Sequence, residues 1–196
     1  RFTLFKIKMM KIGITGSLAS GKSTASKFLS NKYGPLFDAD KVVKKIYKNR
    51  YFKKIVSKKF NLPNNSHLKK NLKIFILDNK KNIKKLEKII HPLVRKEMIN
   101  FTSKNKRNRF LFYEIPLLIE SKLMKYFDII IFIKAKKNLR YKRFKSKSGD
   151  KKLFTLLDKK QLNYKKKVKF CDHVVVNEKN IKFLRKNLST IIRKYV

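Results

Sequence analysis

Short apolar runs alternate along the chain with longer stretches in which apolar residues recur every three or four positions. Five short runs predict buried strands, because continuous apolar segments bounded by polar residues are typical of parallel sheets. They lie at residues 11–15, 36–38, 110–115, 128–133 and 173–176. Strands that alternate with helical segments predict an α/β fold built around a five-stranded parallel sheet.

Helical periodicity is clearest between the second and third predicted strands. One segment places four apolar side chains on a single face: Val42, Val43, Ile46 and Tyr47. A second segment repeats six apolar positions: Ile83, Leu86, Ile89, Ile90, Val94 and Met98. Pro92 within it predicts a kink or a second helix start. Residues 41–109 are too many for a simple crossover and predict a helical insertion on the substrate side. Residues 150–170 are also predicted to be helical.

The most informative short segment is residues 13–24, which read GITGSLASGKST. Gly16, Gly21, Lys22 and Ser23 fit the phosphate-binding spacing G-x-x-x-x-G-K-[ST], between a predicted strand and a predicted helix. Backbone N–H groups in such a loop point into a concavity, and the following helix N-terminus adds partial positive charge. The pattern predicts a nucleoside triphosphate site, and a Gly/Ser turn without a ligand is the alternative.

We expect nine consecutive residues to contact ATP: Gly16, Ser17, Leu18, Ala19, Ser20, Gly21, Lys22, Ser23 and Thr24. The Lys22 ammonium, expected to be exposed, would reach the β- and γ-phosphates, and the Ser23 hydroxyl would ligate Mg²⁺.

Composition narrows the class of protein. A chain of 196 residues, 42% hydrophobic, is long enough for one domain with an insertion. No apolar run approaches the length of a membrane span, and a single cysteine, Cys171, fits a reducing compartment. We therefore expect a cytoplasmic protein that does not bind membranes. Residues 1–9 are interpreted as an extension ahead of a domain at 10–196, since Met9 or Met10 would make a natural start.

The formal net charge of +42 makes nucleic-acid binding a hypothesis to test. Only nine of the 54 basic residues are arginine, however, and arginine is the side chain best suited to bidentate contact with phosphates and bases. The lysines are also spread along the chain. We expect weak, salt-sensitive association with polyanions and no specific nucleic-acid partner.

Other motifs separate the classes of phosphate-loop enzyme. The D-x-x-G and N-K-x-D motifs that GTPases need are absent from the sequence. The loop also lacks the glycine-rich form usual in adenylate kinases, since Leu18, Ala19 and Ser23 occupy positions of that pattern. A small-molecule kinase remains the best interpretation.

Four further segments complete the pattern. FDADKV (37–42) follows the second predicted strand, IIHPLVRKEM (89–98) lies in the insertion, EIPLLIES (114–121) ends the third strand, and CDHVVVN (171–177) forms the last. Together with the loop, they resemble the dephospho-CoA kinase family over nearly all of residues 11–195. The resemblance implies a three-layer P-loop kinase fold with a helical insertion and a lid. It also implies transfer of the ATP γ-phosphoryl group to the 3′-hydroxyl of dephospho-CoA, the last step of coenzyme A synthesis.

The resemblance implies roles for individual residues on the acceptor side. Asp40 would orient and deprotonate the acceptor hydroxyl, and a helix N-cap is the alternative for this carboxylate. His91 would contact the acceptor, and an ordinary histidine beside a helix kink is the alternative. Pro116, Leu117 and Leu118 would form an apolar wall near the acceptor.

A lid at about residues 138–160 is the implied element on the ATP side. Arg143, with Arg140 or Lys147, would fold over the phosphates and stabilise charge on the transferred group, and a solvated basic helix face is the alternative. We expect the lid to be mobile without ATP and to close over it. Gln161, just after the lid, occupies a family-like position to which no role is assigned.

Three positions depart from the family pattern. Ala19 replaces the usual loop glycine, which is tolerable if φ is negative there. Glu114 stands at an Asp or Val position, which leaves its role open. Lys147 stands where a second arginine is usual and loses the bidentate fork.

Two other functions stay open on the residues alone: another small-molecule or nucleoside monophosphate kinase, and a nucleic-acid-binding NTPase. The expected substrates are ATP and dephospho-CoA with Mg²⁺ as cofactor, and the expected state is a monomer or weak oligomer.

Overall fold

The computed structural model describes residues 8–147 and 150–196, which form an α/β structure around one parallel sheet. The sheet has five strands: β1 (Met10–Gly16), β2 (Leu36–Asp38), β3 (Phe110–Glu114), β4 (Ile129–Lys134) and β5 (His173–Val176). Their order across the sheet is β2-β3-β1-β4-β5. All four strand pairs are parallel, with Ile12 of β1 opposite Phe112 of β3 and Ile129 of β4. The predicted fold class is confirmed.

The helices of the described chain have these bounds: α1 (Lys22–Tyr33), α2 (Ala39–Lys48), α3 (Arg50–Phe60), α4 (Leu68–Asp78), α5 (Lys80–Lys104), α6 (Lys137–Lys145), α7 (Lys151–Lys159), α8 (Tyr164–Val168) and α9 (Ile181–Arg193). A short 3-10 turn covers Met124–Tyr126. Among the described residues, none of these helices has the length and apolar character needed to cross a membrane. Asparagine and aspartate caps start several helices, as where Asn180 accepts a hydrogen bond from the Phe183 amide at 3.0 Å.

The chain divides into two compact units. The sheet unit comprises the described residues up to Asp38 together with Asn105–Val196. On one face of its sheet, α1 and α9 contribute to a core in which Leu29, Leu188 and Ile131 are fully buried. On the other face, Tyr113 packs against Phe127 with ring centroids 5.2 Å apart.

The helical unit, Ala39–Lys104, contains α2 to α5 and has its own apolar core. The predicted apolar faces are confirmed, since Ile46, Leu86 and Ile90 are buried there.

Residues 80–104 form one helix that runs through Pro92, so of the two predicted alternatives the second helix start is wrong. Residues 150–170 form two helices, α7 and α8, with a non-helical break between them, because Asn163 accepts the Lys165 amide and caps a new helix.

Candidate active site

The phosphate loop joins β1 to α1 in the predicted place. Gly16 closes β1, Ser17 to Gly21 form the turn, and Lys22 to Thr24 open α1. Gly16 and Gly21 have φ values of 156° and 97°. A Cβ atom at Gly16 would collide with the Ile133 carbonyl, and one at Gly21 would collide with the Asn177 amide. Both positions therefore require glycine, for two reasons: the backbone conformation and the close packing.

The third special position is Ala19, whose φ is 56°. The condition of a negative φ, under which an alanine would be tolerated there, is not met. The left-handed region costs an alanine about 1 kcal/mol because its Cβ approaches the following carbonyl. The loop therefore holds Ala19 in a strained conformation that a glycine would adopt freely.

Lys22 is less exposed than expected, with only 8% of its surface accessible. Its ammonium donates to the carbonyl oxygens of Gly16, at 3.2 Å, and Ser17, at 2.9 Å. These contacts fold the side chain back along its own loop. The prediction that Lys22 is exposed is thus wrong. Its ammonium is held at the loop that would bind phosphate.

Glu114 is the main residue that the sequence left without a role. It ends β3 opposite Ile14 of β1 and is buried. The Ser23 hydroxyl donates to one carboxylate oxygen at 2.6 Å, and the Ser26 hydroxyl donates to the other at 2.6 Å. One signal was available in the sequence, since ligand-binding residues gather at the carboxyl ends of parallel strands.

The donor set beside the loop fits Mg²⁺. The Ser23 hydroxyl and the Glu114 carboxylate are hard oxygen ligands, which this ion prefers. No group of three or more His, Cys, Asp or Glu side chains that could hold a metal occurs within residues 8–147 and 150–196. Magnesium at phosphate-transfer sites uses one or two protein carboxylates and completes its shell with phosphates and water, so a larger protein cluster is unnecessary.

Arg143 of α6 contacts the phosphate loop directly. Its guanidinium donates to the Ser20 carbonyl at 3.2 Å and to the Asn177 carbonyl at 3.0 Å. The Asn177 side-chain amide donates to the same Ser20 carbonyl at 2.9 Å. Burial lowers the pKa of Arg143, and nearby Glu178 opposes that shift. An arginine remains protonated under such conditions, so a positive charge is kept at the loop.

The other two predicted lid cations differ from Arg143. Arg140 is buried, and its guanidinium donates to Asp158 at 2.6 Å and to the Leu18 carbonyl at 3.2 Å. Lys147 is exposed. The Gln161 side-chain oxygen accepts a hydrogen bond from the Leu18 amide at 3.0 Å, a contact that the sequence pattern did not predict. Of the predicted lid, residues 148–149 lie outside the described residues.

The segment after β3 only partly matches the expected apolar wall. The Thr15 hydroxyl donates to the Pro116 carbonyl at 3.2 Å, which fixes this segment beside β1. Leu117 is 41% exposed, whereas Leu118 is fully buried. Leu118 therefore belongs to the core and is wrong as a wall residue, because no part of it is accessible to a ligand.

Asp40 and His91 belong to the helical unit. Asp40 is exposed and is the second residue of α2, so the alternative of a helix N-cap is wrong. In the first turn its carboxylate can still stabilise the helix dipole. His91 is half-buried within α5. Their contacts with an acceptor remain predictions.

Two further titratable side chains lie on or near β5. The Nε2 atom of His173 lies 2.6 Å from the Tyr195 hydroxyl. The pKa of His173 is lowered, mainly by burial and then by the nearby charge of Lys194, while Asp172 acts in the opposite direction. Burial raises the pKa of the Cys171 thiol to about 12. This thiol stays protonated at neutral pH and has no nucleophilic role.

Comparison with known proteins agrees with the motifs. The dephospho-CoA kinase family model matches residues 10–182. The dephospho-CoA kinase of Fusobacterium nucleatum subsp. nucleatum is 32% identical over 190 residues, which cover 93% of this chain and 96% of that protein. The crystal structure of TT1252 from Thermus thermophilus shares the fold, with a TM-score of 0.83 and 23% identity over 96% of this chain and 98% of that chain. A dephospho-CoA kinase from Campylobacter jejuni aligns with a TM-score of 0.61 and 25% identity over 95% and 97% of the two chains. The chain therefore belongs to the dephospho-CoA kinase family.

Proposed function

We propose that this chain transfers the γ-phosphoryl group of ATP to the ribose 3′-hydroxyl of dephospho-CoA, which completes coenzyme A. The observation that carries the proposal is the family match over residues 10–182, which includes the phosphate loop, the predicted acceptor residues and the lid segment. Membership of this family makes the chain an ATP phosphotransferase with an alcohol acceptor.

On the ATP side, the loop residues supply positive potential where the phosphates would bind. Backbone N–H groups of the loop and the N-terminus of α1 would form the anion-binding turn. The Lys22 ammonium would exchange its carbonyl partners for the β- and γ-phosphates. Arg143, already bonded to the Ser20 carbonyl, would stabilise the charge that develops on the transferred group.

Ser23 and Glu114 are the residues that would hold Mg²⁺, Ser23 through its hydroxyl and Glu114 directly or by orienting that hydroxyl. Bound Mg²⁺ would neutralise charge on the β- and γ-phosphate oxygens. Ser26 donates to the second carboxylate oxygen and so fixes the plane of the Glu114 carboxylate.

On the acceptor side, Asp40 would accept the proton of the 3′-hydroxyl and orient that oxygen for in-line attack. His91, Pro116 and Leu117 would contact the rest of the acceptor. A lid at about residues 138–160 would exclude water from the transferred group, which favours the alcohol over water as the nucleophile. We further propose a monomer or weak oligomer in the cytoplasm.

A coupled assay of ADP release tests the proposal. Purified protein with ATP and Mg²⁺ is offered dephospho-CoA, AMP, dTMP, shikimate or RNA in parallel. We expect saturable turnover with dephospho-CoA alone, with the product phosphorylated at the 3′ position. Faster turnover with a nucleoside monophosphate or shikimate would favour another small-molecule kinase, and RNA-stimulated ATP hydrolysis would favour a nucleic-acid-dependent NTPase.

A further inference from the structure

Leu18, at the apex of the phosphate loop, has both of its backbone polar groups bonded to distant side chains. Its N–H donates to the Gln161 side-chain oxygen at 3.0 Å, and its carbonyl accepts from Arg140 at 3.2 Å. These partners lie 143 and 122 residues away in sequence. The peptide groups on both sides of Leu18 are therefore fixed by side chains from the region of the lid.

Arg140 and Gln161 are themselves linked through Asp158. The Asp158 carboxylate accepts from both terminal nitrogens of Arg140, at 2.6 and 3.4 Å, and its backbone carbonyl accepts the Gln161 amide at 3.2 Å. The Arg140 side chain is only 9% exposed and lies over the Phe154 ring. An arginine that contacts one carboxylate through two nitrogens has a defined geometry, so the Arg140–Asp158 pair joins α6 to the end of α7 beside the loop.

The chain immediately after Gln161 is also anchored. The Leu162 amide donates to Glu120 at 3.1 Å, and the same carboxylate pairs with Lys167 at 2.7 Å. Lys167 is fully buried. The segment after β3 therefore anchors the residue that follows Gln161, whose side-chain oxygen is directed at Leu18.

We infer that Gln161 is a positioning residue for ATP binding, which acts with the Arg140–Asp158 pair to hold the apex of the phosphate loop. Fixing Leu18 also fixes the strained left-handed turn at Ala19, whose φ is 56°. The anion-binding N–H groups that follow are then pre-oriented before the nucleotide arrives, which lowers the ordering cost of binding. The inference rests on the proposed use of ATP and adds a residue that acts through the backbone of the phosphate loop.

The test compares two variants of nearly equal size. Gln161→Met removes the acceptor oxygen, whereas Gln161→Glu keeps one. Binding of ATP with Mg²⁺ is measured by calorimetry without any acceptor substrate, so a failure of the proposed acceptor chemistry does not affect the result. We expect Gln161→Met to weaken ATP binding about three- to tenfold, the value of one net hydrogen bond, and Gln161→Glu to remain within about threefold of the original chain.

Hydrogen exchange gives a second readout that a merely structural role would not move. In the nucleotide-free Gln161→Met variant, amides of residues 17–20 should exchange faster, while those of β1 should not. Asn163→Ala is the matched control, since Asn163 lies two residues away and its side chain caps α8 by accepting a hydrogen bond from the Lys165 amide. Unchanged ATP affinity and loop exchange in Gln161→Met would overturn the inference. So would equal losses in Gln161→Glu, or in the Asn163 control.

Discussion

The two units of the chain bury polar side chains to very different extents. Nine polar or charged residues are buried among those that the structure describes, and only Asn82 of these belongs to the helical unit. The other eight lie in the sheet unit: Thr15, Ser20, Lys22, Ser26, Glu114, Arg140, Lys167 and Asn177. The helical unit instead packs an apolar cluster that includes Phe52, Val56 and Leu86.

The difference indicates where the molecule is organised for chemistry. Burying a polar group costs free energy unless hydrogen bonds compensate it, so a core made only for stability avoids such groups. Within the described ranges, three buried side-chain atoms have no hydrogen-bond partner, and all three lie in the sheet unit: Ser20 Oγ, Glu120 Oε2 and Arg140 Nε. The sheet unit therefore contains buried polar atoms that lower its stability, whereas the core of the helical unit is apolar and stabilising.

Lys22→Ala is the substitution in the sheet unit with the largest expected effect. Turnover should fall at least about 10³-fold, because the ammonium that would stabilise the phosphates is lost. The carbonyls of Gly16 and Ser17 also lose a donor, so the melting temperature should fall by about 2–4 °C while circular dichroism keeps its α/β form. Normal turnover in the folded variant would remove the loop from the mechanism.

Asp40→Asn tests whether the helical unit also supplies a catalytic residue. Turnover with dephospho-CoA should fall about 10²–10⁴-fold, the usual contribution of a general base. ATP affinity should barely change, because the phosphate loop lies in the other unit of the chain. If Asp40 serves only the dipole of α2, the loss will be confined to a small drop in melting temperature. Joint loss of turnover and ATP affinity would indicate a magnesium role instead.

Glu114→Gln tests whether the buried carboxylate serves the metal. The amide keeps one acceptor for the two serine hydroxyls but removes the charge. We expect the gain in ATP affinity on adding Mg²⁺ to shrink about tenfold, while metal-free ATP binding is maintained, as measured by paired calorimetric titrations. Ser26→Ala, which leaves the Ser23 contact in place, should give a smaller loss. An unchanged magnesium effect in Glu114→Gln would make the carboxylate structural.

Ala19→Gly should stabilise the protein, since glycine adopts a φ of 56° without steric cost. The relief of about 1 kcal/mol is partly offset by the greater freedom of glycine in the unfolded chain, so we expect a rise of about 2 °C in melting temperature. Lys122→Gly is a matched control, because Lys122 has a φ of 54° away from the phosphate loop. A lower melting temperature for Ala19→Gly would show that the loop is unstrained.

The smallest expected effect concerns His173. Its pKa is lowered in the folded protein, so the unfolded chain binds more protons between that pKa and the ordinary value of 6.5. This contribution to stability is complete above that window and is lost as the pH falls through it. Melting curves from pH 5 to 7 should therefore be less pH-dependent in His173→Gln than in the original chain, with Tyr195, Lys194 and Asp172 left in place. Parallel curves would contradict this.

Local pattern was enough to predict the sheet and the loop. The strand at 36–38 was predicted with its observed bounds, and the G-x-x-x-x-G-K-S spacing located the turn between β1 and α1. These features depend on neighbours in sequence, on apolar runs and on glycine spacing. The family resemblance was also visible, because it rests on short motifs in a fixed order.

The missed features depend on how the phosphate loop closes and on contacts between distant parts of the chain. Lys22 was expected to be exposed, but the fold of its own loop covers it. The sign of φ at Ala19 is set by how the loop closes, and no local pattern encodes it. Glu114 reaches Ser26 across 88 residues, and Gln161 reaches Leu18 across 143. Such pairings follow from strand order, which one sequence does not specify.

The hydrogen bonds on the Ser20 carbonyl have a consequence for the order of folding. Ser20 and its neighbours are synthesised early, yet the donors on that carbonyl are Arg143 and Asn177, the latter 157 residues later in the chain. Contacts of such high sequence separation form late, because the loop-closure entropy must be overcome first. The nascent loop therefore lacks its native support until β5 has joined the sheet. Competence to bind nucleotide should appear only near the end of folding, so that ATP binding reports a completed chain.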